Sequence, residues 1–417
     1  MNSVYNNYAG TAFRTSPAVF LKCKGARMKI ISSVTLLVIS TMAVAESTWS
    51  VEIETEVDWL YGLRDCAVLS NGNSVISITG PFEDPFLICF DHEGEILWSR
   101  HVLKGASSRA FESNGELVTL EDGFAACYHS EPRATGIDTD VAVVRMNSSG
   151  EILWTYIMGE DDEDIWMSTD IISCSDGGLL VSGCPGQQLL GGFVFKLSSD
   201  GRLEWMTHPE EITGFALSAI QTVDGDYCIL VSNYSSTTVQ HITGDGLVSA
   251  PITVAESEIP FRARISCIED SFWIIPAIED HVLYAERLYP DNGTRNEIFL
   301  QLPLDSEVEL ADIIEGGLLV SGATDDYSDA LLLLYDFNGD LLWQRCYDAG
   351  GEEFLAKAVL SNHGILAIGI IHSISGEKLS FWILKTDSSG FVEGAGITED
   401  GTQVLEPDWI SIDLYDR

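Results

Sequence analysis

Short apolar runs separated by turn residues recur along the chain from residue 49 onward. Some runs alternate apolar and polar residues, and others are continuously apolar, such as "YCILVS" at 227–232 and "ALLLLYD" at 330–336. Alternation with a period of two is typical of a half-buried strand, and a short continuous run bounded by turns is typical of a strand buried on both faces. No long stretch shows the 3.6-residue period of an amphipathic helix. The pattern predicts an all-β protein.

One turn motif, Asp/Asn/Ser-x-x-Gly or a weaker form of it, recurs seven times. In four copies a tryptophan stands four residues after the glycine, as in "DFNGDLLW" at 336–343. The seven glycines are separated by 56, 51, 45, 47, 46 and 51 residues. They are Gly94, Gly150, Gly201, Gly246, Gly293, Gly339 and Gly390. The sequence therefore consists of seven units of about fifty residues.

A second turn marker runs in phase with the first, as in "SDGGLLVSG" at 175–183. Gly, Asn or Asp there supplies the positive φ that a tight hairpin requires, and an apolar run follows. Its seven copies lie at Gly72, Gly115, Gly177, Gly225, Asp270, Gly316 and Gly364. We interpret the runs before and after this marker as strands A and B. Strand C then precedes the first motif, and strand D follows it.

Four short antiparallel strands in about fifty residues are typical of a β-propeller blade. The sequence predicts a seven-bladed β-propeller of four-stranded antiparallel blades over residues 46–396. The seventh turn is followed by "FVEGAG", which is poor strand material, whereas residues 49–54 form a strand D that no blade precedes. We therefore predict that this N-terminal strand joins the last blade and closes the ring. Residues 397–417 would form a C-terminal tail.

Tryptophans hold equivalent places on strand D in five units. A ring at this position can wedge between neighbouring blades and bury about 150–250 Å². A carbohydrate-binding platform would also use tryptophan, but one ring per unit is typical of repeat cores. We predict a structural role for Trp49, Trp98, Trp154, Trp205 and Trp343.

These units resemble the repeats of bacterial secreted β-propellers with Asp-Gly-Gly and Asp-x-x-Gly-x-x-x-Trp motifs, over residues 49–393. They are more distantly similar to the tryptophan-docking repeats of quinoprotein dehydrogenases and of the outer-membrane assembly propeller. The resemblance implies the fold and leaves the activity open. The motif at Asp91–Gly94 is one residue shorter than in the quinoprotein group, and no adjacent cysteine pair is present. A pyrroloquinoline quinone site is therefore not expected.

The first 45 residues have the pattern of a leader. Basic residues precede an apolar run from Ile30 to Val44 that ends in Ala-Val-Ala, which is the organisation of a secretory signal peptide at 28–45. The run is too short to predict a stable membrane span. We expect Sec-type export of residues 46–417 to the periplasm or the extracellular space.

Acidic residues dominate the composition, with 64 Asp and Glu against 22 Lys and Arg and a net charge of −42. The predicted leader removes five basic residues and no acidic ones, which leaves a mature chain with a formal charge of −47. Such a charge favours solubility, repels nucleic acid and attracts cations. We expect a monomer whose protein or glycan ligands are cationic or neutral. Eight cysteines remain, mostly within apolar runs, which favours buried thiols.

Acidic residues also mark the loops in which we expect the binding site. In a four-stranded blade the D-to-A and B-to-C loops emerge on one face, and loops on a rigid scaffold commonly carry function. The candidate ligand-binding residues are Trp59, Glu160, Asp161, Asp162, Glu163, Asp164, Trp166, Asp325, Asp326, Glu352 and Glu353. Asp161, Asp162 and Asp164 are candidate Ca²⁺ ligands, because clustered carboxylates suit that ion. A solvated acidic rim is the alternative interpretation of this run.

Sequence motifs for a nucleophile, a catalytic zinc site or a P-loop are absent from the sequence. We therefore predict an exported binding or interaction scaffold that uses its acidic loop face, with Ca²⁺ as the one candidate cofactor. The alternative is a carbohydrate-active enzyme, a glycoside hydrolase or lyase. Its acid and base would be two carboxylates of the same face, separated by about 5–9.5 Å.

Overall fold

The structure is a computed structural model that describes most of the chain between residues 47 and 411. The described residues are 47–54, 63–79, 85–102, 106–107, 117–130, 140–158, 166–185, 191–207, 212, 214–233, 236–255, 264–268, 271–279, 282–289, 294–303, 306–314, 316–324, 327–361, 363–372, 379–393, 395–398, 401–405 and 408–411. Every helix or strand within them is a β-strand, which confirms the all-β prediction. The same residues include no helical segment with the length and hydropathy needed to cross a bilayer. The predicted leader lies outside them.

The strands of these residues form seven sheets. Strand β1 (Trp49–Glu54) comes first in the chain but belongs to the last sheet. Sheet 1 contains β2 (Leu63–Val68), β3 (Ser74–Thr79), β4 (Pro85–Phe90) and β5 (Ile96–His101). Sheet 2 contains β6 (Ala106–Ser107), β7 (Leu117–Leu120), β8 (Gly123–Ser130), β9 (Asp140–Asn147) and β10 (Ile152–Met158). Sheet 3 contains β11 (Trp166–Ser173), β12 (Leu179–Pro185), β13 (Phe193–Leu197) and β14 (Leu203–Met206).

The next three sheets continue in chain order. Sheet 4 contains β15 (Phe215–Gln221), β16 (Tyr227–Asn233), β17 (Ser236–Ile242) and β18 (Ile252–Ala255). Sheet 5 contains β19 (Arg264–Ile268), β20 (Ser271–Glu279), β21 (Val282–Tyr289) and β22 (Thr294–Gln301). Sheet 6 begins with β23 (Ser306–Ile314), β24 (Gly317–Thr324), β25 (Ala330–Tyr335) and β26 (Leu341–Asp348). Consecutive strands within each of these sheets pair antiparallel.

Sheet 7 combines the two ends of the chain. It contains β27 (Glu352–Ser361), β28 (Gly364–His372) and β29 (Leu379–Thr386), and β1 pairs antiparallel with β29. The register of that pairing runs from Trp49 opposite Lys385 to Glu54 opposite Ser380. In the other sheets a strand follows the C-to-D turn. In sheet 7 residues 49–54 take the place of that strand.

The last residues extend the outer edges of two sheets. β30 (Gly396–Ile397) and β31 (Gln403–Val404) add to sheet 6, where β31 lies parallel to β26. β32 (Asp408–Ser411) lies parallel to β1 and so adds to sheet 7. The segment that we expected to form a tail therefore supplies edge strands.

Alternate side chains of a strand pack against different neighbouring sheets. Leu179 and Val181 of β12 pack with sheet 2, whereas Leu180 packs with sheet 4. In β28, Leu366 packs with sheet 1 and Ile365 packs with sheet 6. Both faces of the middle strands are therefore buried, which explains their continuous apolar runs. The first strands of successive sheets contact one another, and β27 contacts β2.

The strand D tryptophans pack against the turn glycine of the following sheet. A Cβ on Gly94, Gly150, Gly201, Gly246 or Gly390 would meet the ring of Trp49, Trp98, Trp154, Trp205 or Trp343, respectively, at 2.6–3.2 Å. Each of these glycines has a φ between 75° and 89°. Three indole N–H groups donate to a carbonyl two residues before that glycine: Trp98 to Ser148 at 3.3 Å, Trp154 to Ser199 at 3.0 Å and Trp205 to Gly244 at 2.9 Å.

The second unit differs from its predicted layout. We placed its A-to-B turn at Gly115, but residues 117–120 form β7, which pairs with β8 (123–130) through a turn at Glu121 and Asp122. The "LVTL" run is thus the first strand of its hairpin and not the second. An Asn-Gly pair stands just before it and resembles a hairpin turn, which caused the error.

The eight cysteines among the described residues are present as thiols. Six are buried, and Cys267 and Cys346 are half-buried. Burial raises the pKa of Cys174 to about 11 and that of Cys184 to about 12. These thiols therefore behave as small apolar core residues.

Candidate functional site

B-to-C and D-to-A loops meet at the junction of sheets 6 and 7. The backbone N–H of Glu353, at the start of β27, donates to the carbonyl of Tyr327 in the loop between β24 and β25 at 2.9 Å. Tyr327 has a φ of 55°, and its N–H closes a turn with the carbonyl of Thr324 at 2.8 Å. A similar bond joins Gly192 to Ile212 between sheets 3 and 4 at 2.9 Å. The two kinds of loop thus lie together at both junctions.

Three carboxylates converge at the sheet 6–7 junction. Asp329 comes from the B-to-C loop, Asp348 ends β26, and Glu353 is the second residue of β27, after the D-to-A loop. One oxygen from each lies within 4.8 Å of the other two. Asp329 and Asp348 are half-buried, whereas Glu353 has 0% of its surface exposed. We call these three residues the junction cluster.

The backbone of the D-to-A loop supports two members of the junction cluster. The N–H of Gly350 donates to Oδ1 of Asp348 at 2.8 Å, and the N–H of Gly351 donates to Oε1 of Glu353 at 2.5 Å. Oε2 of Glu353 is buried and has no hydrogen-bond partner among the described residues. Burial, together with the negative charges of Asp348 and Asp329, raises the pKa of Glu353 to about 7 despite the donated hydrogen bonds.

The structure describes only some of the candidate site residues. Glu352 is exposed beside the junction cluster, and Glu353 belongs to it. Trp166 begins β11 opposite Pro185. Outside the described residues lie Trp59, Glu160, Asp161, Asp162, Glu163, Asp164, Asp325 and Asp326, and with them the predicted Ca²⁺ ligands.

Asp329 was not among the sequence candidates. Its only local signal is the acidic string "DDYSD" at 325–329, in which we selected the first two residues. Asp348 ends β26, directly before an acidic D-to-A loop, and it was not among the candidates either. The hairpin register, with Ala330 opposite Tyr347, places residues 329 and 348 side by side in sheet 6, and only the approach of Glu353 depends on how sheets 6 and 7 pack.

A second group of charges lies on the first strands of five sheets. Nζ of Lys357 in sheet 7 forms an ion pair with Asp65 in sheet 1. Arg264 in sheet 5 lies 3.8 Å from Asp312 in sheet 6 and 3.8 Å from Asp170 in sheet 3. Asp65, Asp170, Arg264 and Lys357 are each less than 9% exposed. We call Asp65, Asp170, Arg264, Asp312 and Lys357 the inner-strand network.

Backbone groups complete the inner-strand network. Oδ2 of Asp65 accepts the N–H of Leu117 in sheet 2 at 2.8 Å, and Oδ2 of Asp170 accepts the N–H of Ala219 in sheet 4 at 2.9 Å. Each aspartate thus binds the first strand of the following sheet. For Lys357, burial acts to lower the pKa, but Asp65 raises it, and the net shift is upward. The network therefore holds paired charges between sheets.

Solved structures of similar fold place this architecture in a known class. A structure of YCF48 bound to a D1 peptide matches with a TM-score of 0.50 and 12% identity, covering 83% of this chain and 97% of that one. Hydrazine synthase from Kuenenia stuttgartiensis matches with a TM-score of 0.51 and 9% identity, covering 80% and 97%. The chain adopts a β-propeller fold.

The Dos1 propeller is also similar, with a TM-score of 0.48 and 10% identity over 79% of this chain and 80% of that one. At 9–12% identity, the similarity to YCF48 and to hydrazine synthase shows the fold and leaves activity open. No family model matches the sequence, and no curated protein is significantly similar to it.

Proposed function

We propose that this chain is an exported, monomeric, seven-bladed β-propeller that binds a cationic or neutral protein or glycan ligand through an acidic loop face. Seven sheets among the described residues support the blade number, and the pairing of β1 with β29 supports closure. The signal-peptide pattern at 28–45 supports export.

The observation that carries this proposal is the contact between loops at the junction of sheets 6 and 7. Tyr327 of a B-to-C loop accepts a hydrogen bond from Glu353 after a D-to-A loop, and carboxylates from both loops converge there. The convergence of Asp329, Asp348 and Glu353 at this junction supports an acidic loop face. A gathered set of carboxylates attracts cationic groups more strongly than the same charges spread over the surface.

Carbohydrate hydrolysis at the junction cluster is the less supported function. A glycosidase requires a general acid whose proton can reach the glycosidic oxygen. Glu353 has the raised pKa of such an acid, but 0% of its surface is exposed, so a sugar has no contact with it in this arrangement. We therefore favour binding over catalysis.

Binding can be tested on arrays of basic peptides and of oligosaccharides with purified protein. Reversing the five charges at 160–164 to lysine should weaken capture of any bound class by at least about 10-fold, since electrostatic attraction is lost. The control reverses five exposed acidic residues that lie in A-to-B and C-to-D turns. They are Glu93, Glu151, Asp224, Asp245 and Asp340. Capture that falls equally in both variants would reflect net charge, and would contradict a dedicated face.

An enzyme would give a different result in parallel assays on a polysaccharide panel. Turnover that is lost on a single Asp→Asn or Glu→Gln change, with substrate affinity retained, would replace the binding proposal with the hydrolase or lyase alternative. We expect no turnover with any member of the panel.

A further inference from the structure

We propose that the junction cluster, Asp329, Asp348 and Glu353, is a Ca²⁺ site. This site is distinct from the predicted one at Asp161, Asp162 and Asp164. It goes beyond partner binding, because it requires no protein or glycan ligand. The cation would hold the D-to-A loop after sheet 6 to the B-to-C loop of the same sheet.

Proximity of three acidic residues is not sufficient, because exposed carboxylates often cluster without binding an ion. The distinguishing feature is Glu353, which has no exposed surface and whose Oε2 has no hydrogen-bond partner among the described residues. A buried carboxylate oxygen without a partner is energetically costly. Two further carboxylates, those of Asp329 and Asp348, lie close to the Glu353 carboxylate and add repulsion. A bound cation satisfies the orphaned oxygen and cancels that repulsion.

The donor set fits Ca²⁺ in type and in spacing. All three donors are carboxylate oxygens, the hard ligands that Ca²⁺ prefers. Ligands on opposite sides of a Ca²⁺ ion are about 4.6–5.2 Å apart, twice the usual Ca–O distance. The three oxygens lie within 4.8 Å of one another, so a single ion can contact all of them. Mg²⁺ has shorter bonds and a stricter octahedral geometry, and it usually keeps several waters and binds only one or two protein carboxylates.

The surroundings leave room for the remaining ligands. Asp329 and Asp348 are half-buried, so solvent reaches the outer side of the junction cluster and water can complete the coordination. The N–H groups of Gly350 and Gly351 donate to one oxygen each of Asp348 and Glu353 and orient these carboxylates. Hydrogen bonds that orient the ligands in this way are usual at metal sites.

A shared proton is the competing explanation for the same geometry. If Glu353 is protonated, its Oε2–H could donate to Asp348 or Asp329 without any metal. The two explanations differ in their response to Glu353→Gln. The amide keeps the shape and the donor of a protonated carboxyl, but it removes the charge that a cation needs.

The test is a calorimetric titration of the full chain with CaCl2 after treatment with EGTA, together with thermal melts. The wild-type protein should bind one Ca²⁺ at this site, and millimolar Ca²⁺ should raise its Tm by a few degrees. Glu353→Gln should weaken binding at least about 10-fold and abolish the Tm shift. Glu297→Gln is the control, since it removes the same charge from an exposed side chain on β22, and it should behave as wild type.

Asp329→Asn provides a second variant in case Glu353→Gln changes the fold, and it should also abolish the Tm shift. Equal Ca²⁺ responses in wild type, E353Q and D329N would place any Ca²⁺ elsewhere and overturn the proposal. A wild-type protein that does not respond to Ca²⁺ would do the same and would favour the shared proton. A stronger response to Mg²⁺ than to Ca²⁺ would overturn the choice of ion. None of these measurements requires a partner, so they can fail independently of the array experiments.

Discussion

Individual charged residues in this protein differ greatly in their surroundings, and their contributions to stability differ accordingly. Lys357 and Asp65 form an ion pair between first strands, with side chains that are 10% and 0% exposed. Arg202 and Asp200 form a pair at 3.2 Å, with side chains that are 83% and 56% exposed. An exposed pair contributes little because water and salt screen it. A buried pair that loses one partner leaves an uncompensated charge inside the protein.

Lys357→Met should therefore lower the free energy of unfolding by about 3–5 kcal/mol, because Asp65 remains buried without its cation. Urea denaturation measures this loss, and Arg202→Met is the control that should leave the midpoint nearly unchanged. The double variant Asp65→Asn with Lys357→Met should recover part of the loss, because no buried charge remains. If the double variant is no more stable than Lys357→Met, lost packing and not charge explains the effect.

The inner-strand network also shows which of its features could be predicted from single residues of the sequence. Asp65 in "RDCAVL" and Lys357 in "LAKAVL" each interrupt an apolar first strand at the same relative place. In the structure both follow a shift in strand register, between Leu63 and Asp65 and between Leu355 and Lys357. The strands could be predicted from their apolar residues, but the pairing of these two charges depends on contact between sheets 1 and 7.

At the scale of the element, the C-to-D turn and the tryptophan of the preceding sheet form one packing unit. The turn glycine needs its positive φ, and it also leaves no room for a side chain. At Gly150 the φ is 75° and an added Cβ would lie 2.8 Å from the Trp98 ring. At Gly225 the φ is 90°, but an added Cβ would have no atom within 4 Å. The two positions separate backbone strain from steric overlap.

Gly225→Ala should cost about 1 kcal/mol from backbone strain alone. Gly150→Ala should cost at least about 1 kcal/mol more, because the methyl group must displace the Trp98 ring. Chemical denaturation of both variants measures the difference. Equal losses would show that the ring moves freely, and would contradict tight packing of the tryptophan on the turn.

Elements were predictable where local chemistry determines them. The turns at Gly94, Gly150 and Gly339 follow from residue type alone, because few residues adopt positive φ. The complete junction cluster was not predictable in the same way, since Glu353 joins Asp329 and Asp348 only through the packing of sheet 7 against sheet 6. The misplaced turn at Gly115 shows the limit of local patterns, because an Asn-Gly pair stands in front of the first strand.

At the scale of the whole molecule, strand β1 connects the beginning of the described chain to the last sheet. Trp49, Val51 and Ile53 are buried at the interface between sheets 7 and 1. Burial of one such side chain contributes about 1.5–3 kcal/mol. Loss of all three, together with the backbone pairing to β29, is large relative to the stability of an ordinary domain.

A variant lacking residues 47–54 should therefore lose on the order of 5 kcal/mol or more and expose the edge of β29 to intermolecular pairing. Size-exclusion chromatography should show aggregated or expanded protein, and a synthetic peptide covering 47–54 should restore the compact form. The same peptide with Val51 and Ile53 changed to Asp is the control and should have no effect. A deleted protein that stays compact and cooperative would contradict the proposed closure.

The parallel strands β31 and β32 link the proposed Ca²⁺ site to the pairing of the C-terminal residues with sheets 6 and 7. The carbonyl of Asp348 accepts the N–H of Leu405 at 2.8 Å, next to the pairing of β31 with β26, and β32 continues onto β1. An ion that immobilises Asp348 would also immobilise the anchor point of the C-terminus. By thermodynamic linkage, docking of the C-terminal strands would then raise the affinity for the ion by the same factor. Ca²⁺ in solution would thus stabilise the pairing of the C-terminal strands with the outer edges of sheets 6 and 7.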